Sequence, residues 1–428
     1  MKRITELLCS VLFLVSTLAA QTNGRVEQHS FYSPILEETK HYYVYLPPGY
    51  DASTEAYPTV YFLRLHEYEW FNPNMPGRTL TLAGVTDTLI QNSHIGNVIL
   101  VCSSTGSNNG VISGAVNMLS PALTSAAGIG TGRFEDYIVY DLIPHIDSTF
   151  RTIAIRTHRG IDGFSLGGYS STVIGLKNPD IFSSVGSYDG TVMWHNLDAP
   201  EIPGAAPDDP IWLNSNYDNL LGPLFGVPRN VNYMLLHSAT NIVSEADSAT
   251  LDSLRSMRFH ITAGHSNITT NLARNTQLLD SLAARGIHNT FNDVVLAPFA
   301  EHNFGFADLH ASRSLVKHWE TFQQSTSIDS PSPLLPKAAE LYSNYPNPFN
   351  PSTQIRFYVK LPAHFSLTIY DILGRQVKTL LNDQQETGSY SVEWDGEDEF
   401  GVQASGGIYF YRLQSASFDQ SRKMVLVR

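Results

Sequence analysis

Between about Val26 and Phe322 the chain alternates short apolar runs, which read as strands, with longer helix-like stretches. Strands are expected over 41–46, 59–63, 97–101, 152–155, 183–187, 257–262 and 291–296, and helices over 134–150, 169–177, 271–285 and 311–323. Such alternation builds a largely parallel sheet covered by helices, an α/β arrangement. Gly286, directly after Ala283-Ala284-Arg285, is a helix stop. From 323 to 343 the composition turns to Ser, Pro and Ala and reads as an exposed linker. Over 344–428 the apolar period becomes two: Ile355, Phe357 and Val359; Phe365, Leu367 and Ile369; Tyr390, Val392 and Trp394. Asp371-Ile372-Leu373-Gly374 and Ser405-Gly406-Gly407 supply turns, so this stretch reads as a small all-β, immunoglobulin-like sandwich without internal repeats.

A length of 428 residues suits two or three domains, one of them with a large core. Residues 1–20 read as an export signal: Lys2 and Arg3 are basic, 7–18 is apolar, and Thr17-Leu18-Ala19-Ala20 offers small residues for cleavage. That run is too short for a membrane span, and no later run approaches the length required. The formal charge of −13 becomes −14 once Lys2, Arg3 and Glu6 are set aside. Such a balance argues against nucleic acid or an anionic membrane as partner, since both require clustered Lys and Arg. Cys9 falls in the signal and leaves Cys102 alone in an apolar strand, where it reads as a core residue. The fifteen histidines show no spacing that would build a metal site, and no cofactor is implied.

The stretch richest in chemistry is Gly163-Phe164-Ser165-Leu166-Gly167-Gly168. A serine between close glycines at a strand-to-helix turn is the nucleophile elbow of α/β-hydrolases. Small neighbours are needed because the serine backbone is strained and its Oγ must stand clear of the sheet. The Leu166 N–H then lies at a helix N-terminus, where a developing oxyanion is stabilised.

Collinear motifs carry a resemblance. Tyr43-Val44-Tyr45-Leu46-Pro47-Pro48-Gly49-Tyr50-Asp51, Tyr57 to Leu63, Asp141-Leu142-Ile143-Pro144-His145-Ile146-Asp147, the elbow, and Lys177-Asn178-Pro179-Asp180-Ile181-Phe182 resemble the esterase D-like family in its own order. That family includes feruloyl and acetyl-xylan esterases, siderophore esterases and mycolyltransferases. The resemblance implies an α/β-hydrolase domain over 26–322 that acts on carboxylic esters of small molecules or polysaccharides. The C-terminal stretch resembles the type IX secretion sorting domain through Asn344-Tyr345-Pro346-Asn347-Pro348-Phe349-Asn350-Pro351, Ile369 to Arg375, Trp394-Asp395-Gly396, Gly407 to Leu413 and Lys423 to Val427. This second resemblance implies that 344–428 is read by an outer-membrane export machine and that the protein is secreted or displayed at the cell surface.

A serine nucleophile needs a base, which in α/β-hydrolases follows the final strand. His302, in Glu301-His302-Asn303-Phe304 after the strand expected at 291–296, is the candidate, with His310 as runner-up. The acid is less plain. After 258–262 comes Ala263-Gly264-His265-Ser266-Asn267, and the resemblance puts Asn267 where the family carries aspartate. An amide orients an imidazole but cannot stabilise imidazolium by charge. Asp189, at the end of the strand after the elbow, is the alternative acid or else a simple turn residue; Glu301, adjacent to His302, is poorly placed. Where the family has His-Gly after its oxyanion strand, this chain has Arg64-Leu65, so Leu65 is the second candidate oxyanion donor. Arg64, His66 and Trp70 either line a substrate mouth or form a structural loop. Three functional readings follow: a secreted serine esterase, with acyl transfer to an alcohol as a variant; a weakened hydrolase fold retained as a surface binding protein; or a structural or adhesive protein, against which the intact elbow argues.

Overall fold

A computed structural model of the chain describes residues 23–104, 106, 113–197, 212–265, 269–324, 338–342, 344, 346–359, 361–416 and 418–427. The expected signal at 1–20, most of the linker and Asn267 lie outside the described residues.

Seven strands form the larger sheet: β1 (Arg25–Ser33), β2 (Glu38–Leu46), β3 (Thr59–Arg64), β4 (Ile99–Ser104), β5 (Arg159–Gly163), β6 (Ser184–Tyr188) and β7 (Arg258–Thr262), in the order β1-β2-β4-β3-β5-β6-β7. The pairs β1/β2 and β2/β4 are antiparallel, and from β4 to β7 every pair is parallel. Period-two burial explains the layering. Along β3, Tyr61 and Leu63 join a core on one face of the sheet, while Val60 and Phe62 join a second core on the other. In β4, Ile99 and Val101 divide from Leu100 and Cys102 in the same way. Cys102 is buried and free, as a core residue should be, and burial pushes its thiol pKa up.

Helix Leu166–Lys177 leaves the end of β5 and is buried at every position from Gly167 to Leu176. Helix Phe304–Gln324 covers the opposite face, with Phe304, Ala307, Ala311, Leu315 and Phe322 in the second core.

Three expectations from the sequence need correction. The strand expected at 152–155 is not one: Thr152 makes a single bridge to Tyr57, and the strand before the elbow is Arg159–Gly163. Gly160 and Asp162 stand where an apolar pair would have marked it. The stretch 291–296 also forms no strand. Within it only Val295 bridges, to Ala263 just past β7, and a second isolated bridge joins Phe259 of β7 to Asn289 ahead of it. The helix expected over 134–150 is interrupted by a wider turn at Tyr137–Leu142.

The remaining strands are β8 (Ala339–Leu341), β9 (Thr353–Val359), β10 (Ala363–Asp371), β11 (Gln376–Gln385), β12 (Gly388–Trp394), β13 (Gly407–Ser415) and β14 (Phe418–Leu426). They pair as β11-β10-β13-β14 and β12-β9-β8, all antiparallel. Between the two sheets lie Ile355, Phe357, Val359, Phe365, Leu367, Ile369 and Trp394, seven of the nine residues picked out by the period of two; the other two, Tyr390 and Val392, are only partly buried.

Candidate active site

The turn between β5 and helix Leu166–Lys177 puts Ser165 at φ 60°, ψ −122°. An L-residue is strained there, and such strain persists only where the surroundings enforce it. Three glycines make the turn possible. A Cβ on Gly163 would lie 2.2 Å from the Gly167 carbonyl oxygen, one on Gly167 would lie 1.9 Å from that of Leu63, and one on Gly168 would lie 2.6 Å from Ser187 Oγ. Hydrogen bonds tie the elbow to both flanking strands. Ser165 N–H donates to the Tyr188 carbonyl (3.0 Å), Phe164 N–H to Leu63 (3.4 Å), and Thr191 N–H to the Ser165 carbonyl (3.3 Å). As the first residue of its helix, Leu166 has an N–H with no intrahelical acceptor.

His302 Nε2 lies 2.8 Å from Ser165 Oγ, and His302 Nδ1 is hydrogen-bonded to Asp189 Oδ2. An ionised carboxylate at Nδ1 requires the proton on that nitrogen, so the Nε2 lone pair faces the serine hydroxyl. Asp189 is 1 % exposed and sits at φ 47° just past β6. Its N–H donates to the Thr262 carbonyl (2.8 Å), its Oδ1 accepts from Gly264 N–H (3.1 Å), and its carbonyl accepts from Asn271 Nδ2 (3.2 Å). Both carboxylate oxygens are therefore engaged, and the aspartate is fixed from three sides.

The loop carrying His302 is anchored as firmly. His265 N–H donates to the Ala300 carbonyl (2.7 Å), Tyr188 Oη–H to the Glu301 carbonyl (2.6 Å), and the Phe164 ring lies 4.7 Å from the imidazole. The Glu301 side chain accepts from Asn303 instead (3.2 Å). His310, the runner-up base, is fully buried and bonded to Thr262 and Asp162 rather than to the serine.

Leu65 directly follows the point where β3 abuts the elbow, at the Leu63 carbonyl and the Arg64 amide. Of the residues offered as a substrate mouth, Trp70 is core: it is fully buried and its Nε1–H donates to the Leu63 carbonyl (3.2 Å). Arg64 lies over the Phe164 ring at 4.8 Å, 3.7 Å from Glu69, and burial lowers the pKa of its guanidinium. His66 stacks on Tyr68 at 5.4 Å.

Sequence reasoning missed two buried groupings. Arg78 forms a bidentate pair with Asp308 (2.7 and 2.8 Å) and donates to the Glu69 and Asn72 carbonyls, which ties the loop after β3 to the helix after His302. Burial pushes the Asp308 carboxyl up to about 6, against the pull of Arg78. The second grouping joins Asp162, His310, His318, Ser184 and His260 beneath the elbow. Neither carries a motif, since their members are far apart in sequence.

Residues 33–220 match the family described as Putative esterase, and residues 347–419 match the FlgD Ig-like domain. An endo-1,4-beta-xylanase/feruloyl esterase of Xylanibacter ruminicola is 27 % identical over 173 residues, covering 39 % of this chain and 22 % of that protein. An esterase of Mycobacterium tuberculosis is 25 % identical over 182 residues, covering 40 % of this chain and 36 % of its own length. The chain thus spans about a fifth and about a third of the lengths of these relatives. A ferulic acid esterase of known structure superposes with a TM-score of 0.54 at 20 % identity, over 70 % of this chain and 99 % of that one. At that identity the likeness establishes the fold, an esterase-type α/β arrangement with a mostly parallel central sheet.

The buried histidines give the stability a pH dependence of fixed sign. Burial first, then neighbouring His318, holds the His260 pKa well below its ordinary value; burial and Lys177 act on His237 in the same direction. Below about pH 6.5 the unfolded chain takes up protons at these positions that the folded chain refuses, so stability falls with pH, by at most about 1.4 kcal/mol per unit per histidine. The unfolding midpoint measured by circular dichroism is expected to drop between pH 7.5 and 5.5, and to drop less in His260→Gln. Equal drops in the two proteins would contradict this assignment.

Proposed function

We propose that the chain is a secreted serine esterase that hydrolyses carboxylic esters through an acyl-enzyme on Ser165. The observation that carries this reading is the continuous hydrogen-bonded series Ser165–His302–Asp189 at a strained elbow. In the proposed cycle His302 Nε2 removes the hydroxyl proton as Ser165 Oγ attacks the ester carbonyl. Asp189 holds Nδ1–H in place and stabilises the imidazolium by charge. The oxyanion is received by the N–H groups of Leu166 and Leu65. Collapse of the tetrahedral intermediate passes the proton from His302 to the departing alcohol and leaves the acyl-serine. Water, deprotonated by His302, then attacks the acyl carbon; the acid departs and the proton returns to Ser165.

The weakened-hydrolase reading draws on two departures, the absence of an acid at 267 and Arg64-Leu65 in place of His-Gly. The contact between Asp189 and His302 speaks against the first of these. The matched esterase family and the feruloyl esterase relative support an ester substrate, with polysaccharide-linked esters as the class to screen first. We further assign 1–20 to export across the inner membrane, 26–322 to the esterase unit, and 344–428 to recognition by a type IX outer-membrane machine. The sorting motifs quoted above support the last assignment. No helix among the described residues is long and apolar enough to cross a membrane.

With 4-nitrophenyl acetate and methyl ferulate as substrates, Ser165→Ala is expected to abolish turnover. Asp189→Asn is expected to lower kcat by roughly 10⁴, while Asn267→Ala stays close to the parent. An Asp189→Asn enzyme of unchanged kcat would remove Asp189 from the triad, and turnover in Ser165→Ala would overturn the acyl-serine. Deleting 344–428 is expected to retain the protein in the periplasm of a type IX-secreting host, and release into the medium would contradict the sorting role.

A further inference from the structure

Asp162 lies three residues before Ser165 on β5 and is completely buried. An isolated carboxylate in such a place is costly unless several donors meet it. Here four do. Oδ1 accepts from Gly163 N–H (2.6 Å) and His310 Nε2 (3.3 Å); Oδ2 accepts from Ser314 Oγ (2.6 Å) and His318 Nε2 (3.2 Å). Burial works against ionisation, but the two histidines outweigh it and hold the carboxyl below its ordinary range.

The ionised form fixes the protons around it. His310 and His318 must carry N–H at Nε2, and in the neutral imidazole this leaves each Nδ1 to accept. Thr262 Oγ1 lies 2.8 Å from His310 Nδ1, and Ser184 Oγ lies 2.6 Å from His318 Nδ1. Ser184, having donated, accepts from His260 Nε2 (2.7 Å), and His260 Nδ1 accepts from Thr290 Oγ1 (2.6 Å). Every contact then holds one proton, and the cluster is complete without a metal: no described group of His, Cys, Asp and Glu is arranged to hold one. Adjacent strands make room for it. A Cβ on Gly186 would lie 2.1 Å from Asp162 Oδ2, and one on Gly160 would lie 2.7 Å from His318 Nδ1.

We propose that Asp162 is a positioning residue for the Ser165–His302–Asp189 site, acting through His310 to hold all three members in register. The proposal rests on the esterase reading of that site. Asp162 belongs to the strand that ends in the nucleophile, and His310 belongs to the helix that begins two residues after His302. The His310 ring stacks on Tyr188 at 5.8 Å. Tyr188 in turn accepts from Ser165 N–H and donates to the Glu301 carbonyl. On its other side His310 meets Thr262, whose carbonyl receives the Asp189 N–H. The three elements that deliver nucleophile, base and acid thus converge on one imidazole, which the Asp162 carboxylate orients. The Arg78–Asp308 pair grips the same helix but ties it to the loop after β3 and makes no contact with the Asp162 cluster among its hydrogen bonds.

The test compares the full chain with Ser314→Ala, His310→Gln and His310→Leu. Folding is followed by circular dichroism, and kcat and KM are measured for 4-nitrophenyl acetate below each unfolding transition. Leucine removes the N–H facing Asp162, and its kcat is expected to fall tenfold or more, roughly, with KM within about twofold, since small misplacements of reacting groups are that costly. Glutamine keeps an N–H donor, and its kcat is expected to stay within about threefold of the parent. Ser314→Ala, the mildest change, is expected to lose about threefold in kcat. The proposal is overturned if folded His310→Leu matches His310→Gln in kcat. Should the leucine variant fail to fold, parental kcat in Ser314→Ala overturns it alone. Absence of turnover in the parent would instead refute the esterase reading.

Discussion

The arrangement at the candidate site depends on one imidazole keeping two hydrogen bonds at once. His302 reaches Ser165 through Nε2 and Asp189 through Nδ1, from a loop that belongs to neither partner's strand. Only the Nδ1–H form serves, because it leaves Nε2 able to take a proton from the serine. An amide in place of the aspartate would allow the opposite form and remove the charge that stabilises imidazolium. This constraint explains why so much backbone bonding converges on Asp189 and on the loop around His302. Neither group can move without breaking the geometry at the other.

Strain and burial are concentrated around that contact. Ser165 and Asp189 both have positive φ, and each is held by strand ends on either side. The elbow glycines admit the Leu63 carbonyl and Ser187 where side chains would collide. Beneath them, the fully buried Asp162 and its histidines take the place of an apolar layer between β5 and helix Phe304–Gln324. An apolar layer would slide more freely; directed hydrogen bonds have one register.

What was legible in the sequence follows the same physics. The strands with unbroken apolar runs, β3 and β4, emerge near their expected positions, β4 displaced by two to three residues, and the alternating residues around Phe357, Leu367 and Trp394 fall in strands of the sandwich. The strand before the nucleophile escaped detection because Gly160 and Asp162 occupy its helix-facing positions. The buried cluster that braces the site is also what hid the strand carrying it. The segment 291–296 misled in the other direction: of its apolar residues only Val295 makes a bridge, to Ala263. Ser165 and His302 were readable from motif and chain order, since the elbow is local and the histidine comes last. The partner of His302 Nδ1 was readable only as a choice between Asp189 and Asn267, because sequence spacing does not say which strand end turns toward the imidazole. Trp70 was ambiguous for a similar reason, and its burial against Phe62 makes it core.

Whether Ser165 is an activated nucleophile decides between an esterase and an inert fold, and covalent labelling reads this without knowledge of the substrate. The chain would be treated with an alkyl fluorophosphonate and the adduct mapped by peptide mass spectrometry. An activated Ser165 gives a single modified peptide, carrying the adduct on Ser165 and unmodified when His302 is replaced by alanine. No adduct after prolonged exposure, or an adduct on another residue, would contradict activation of Ser165.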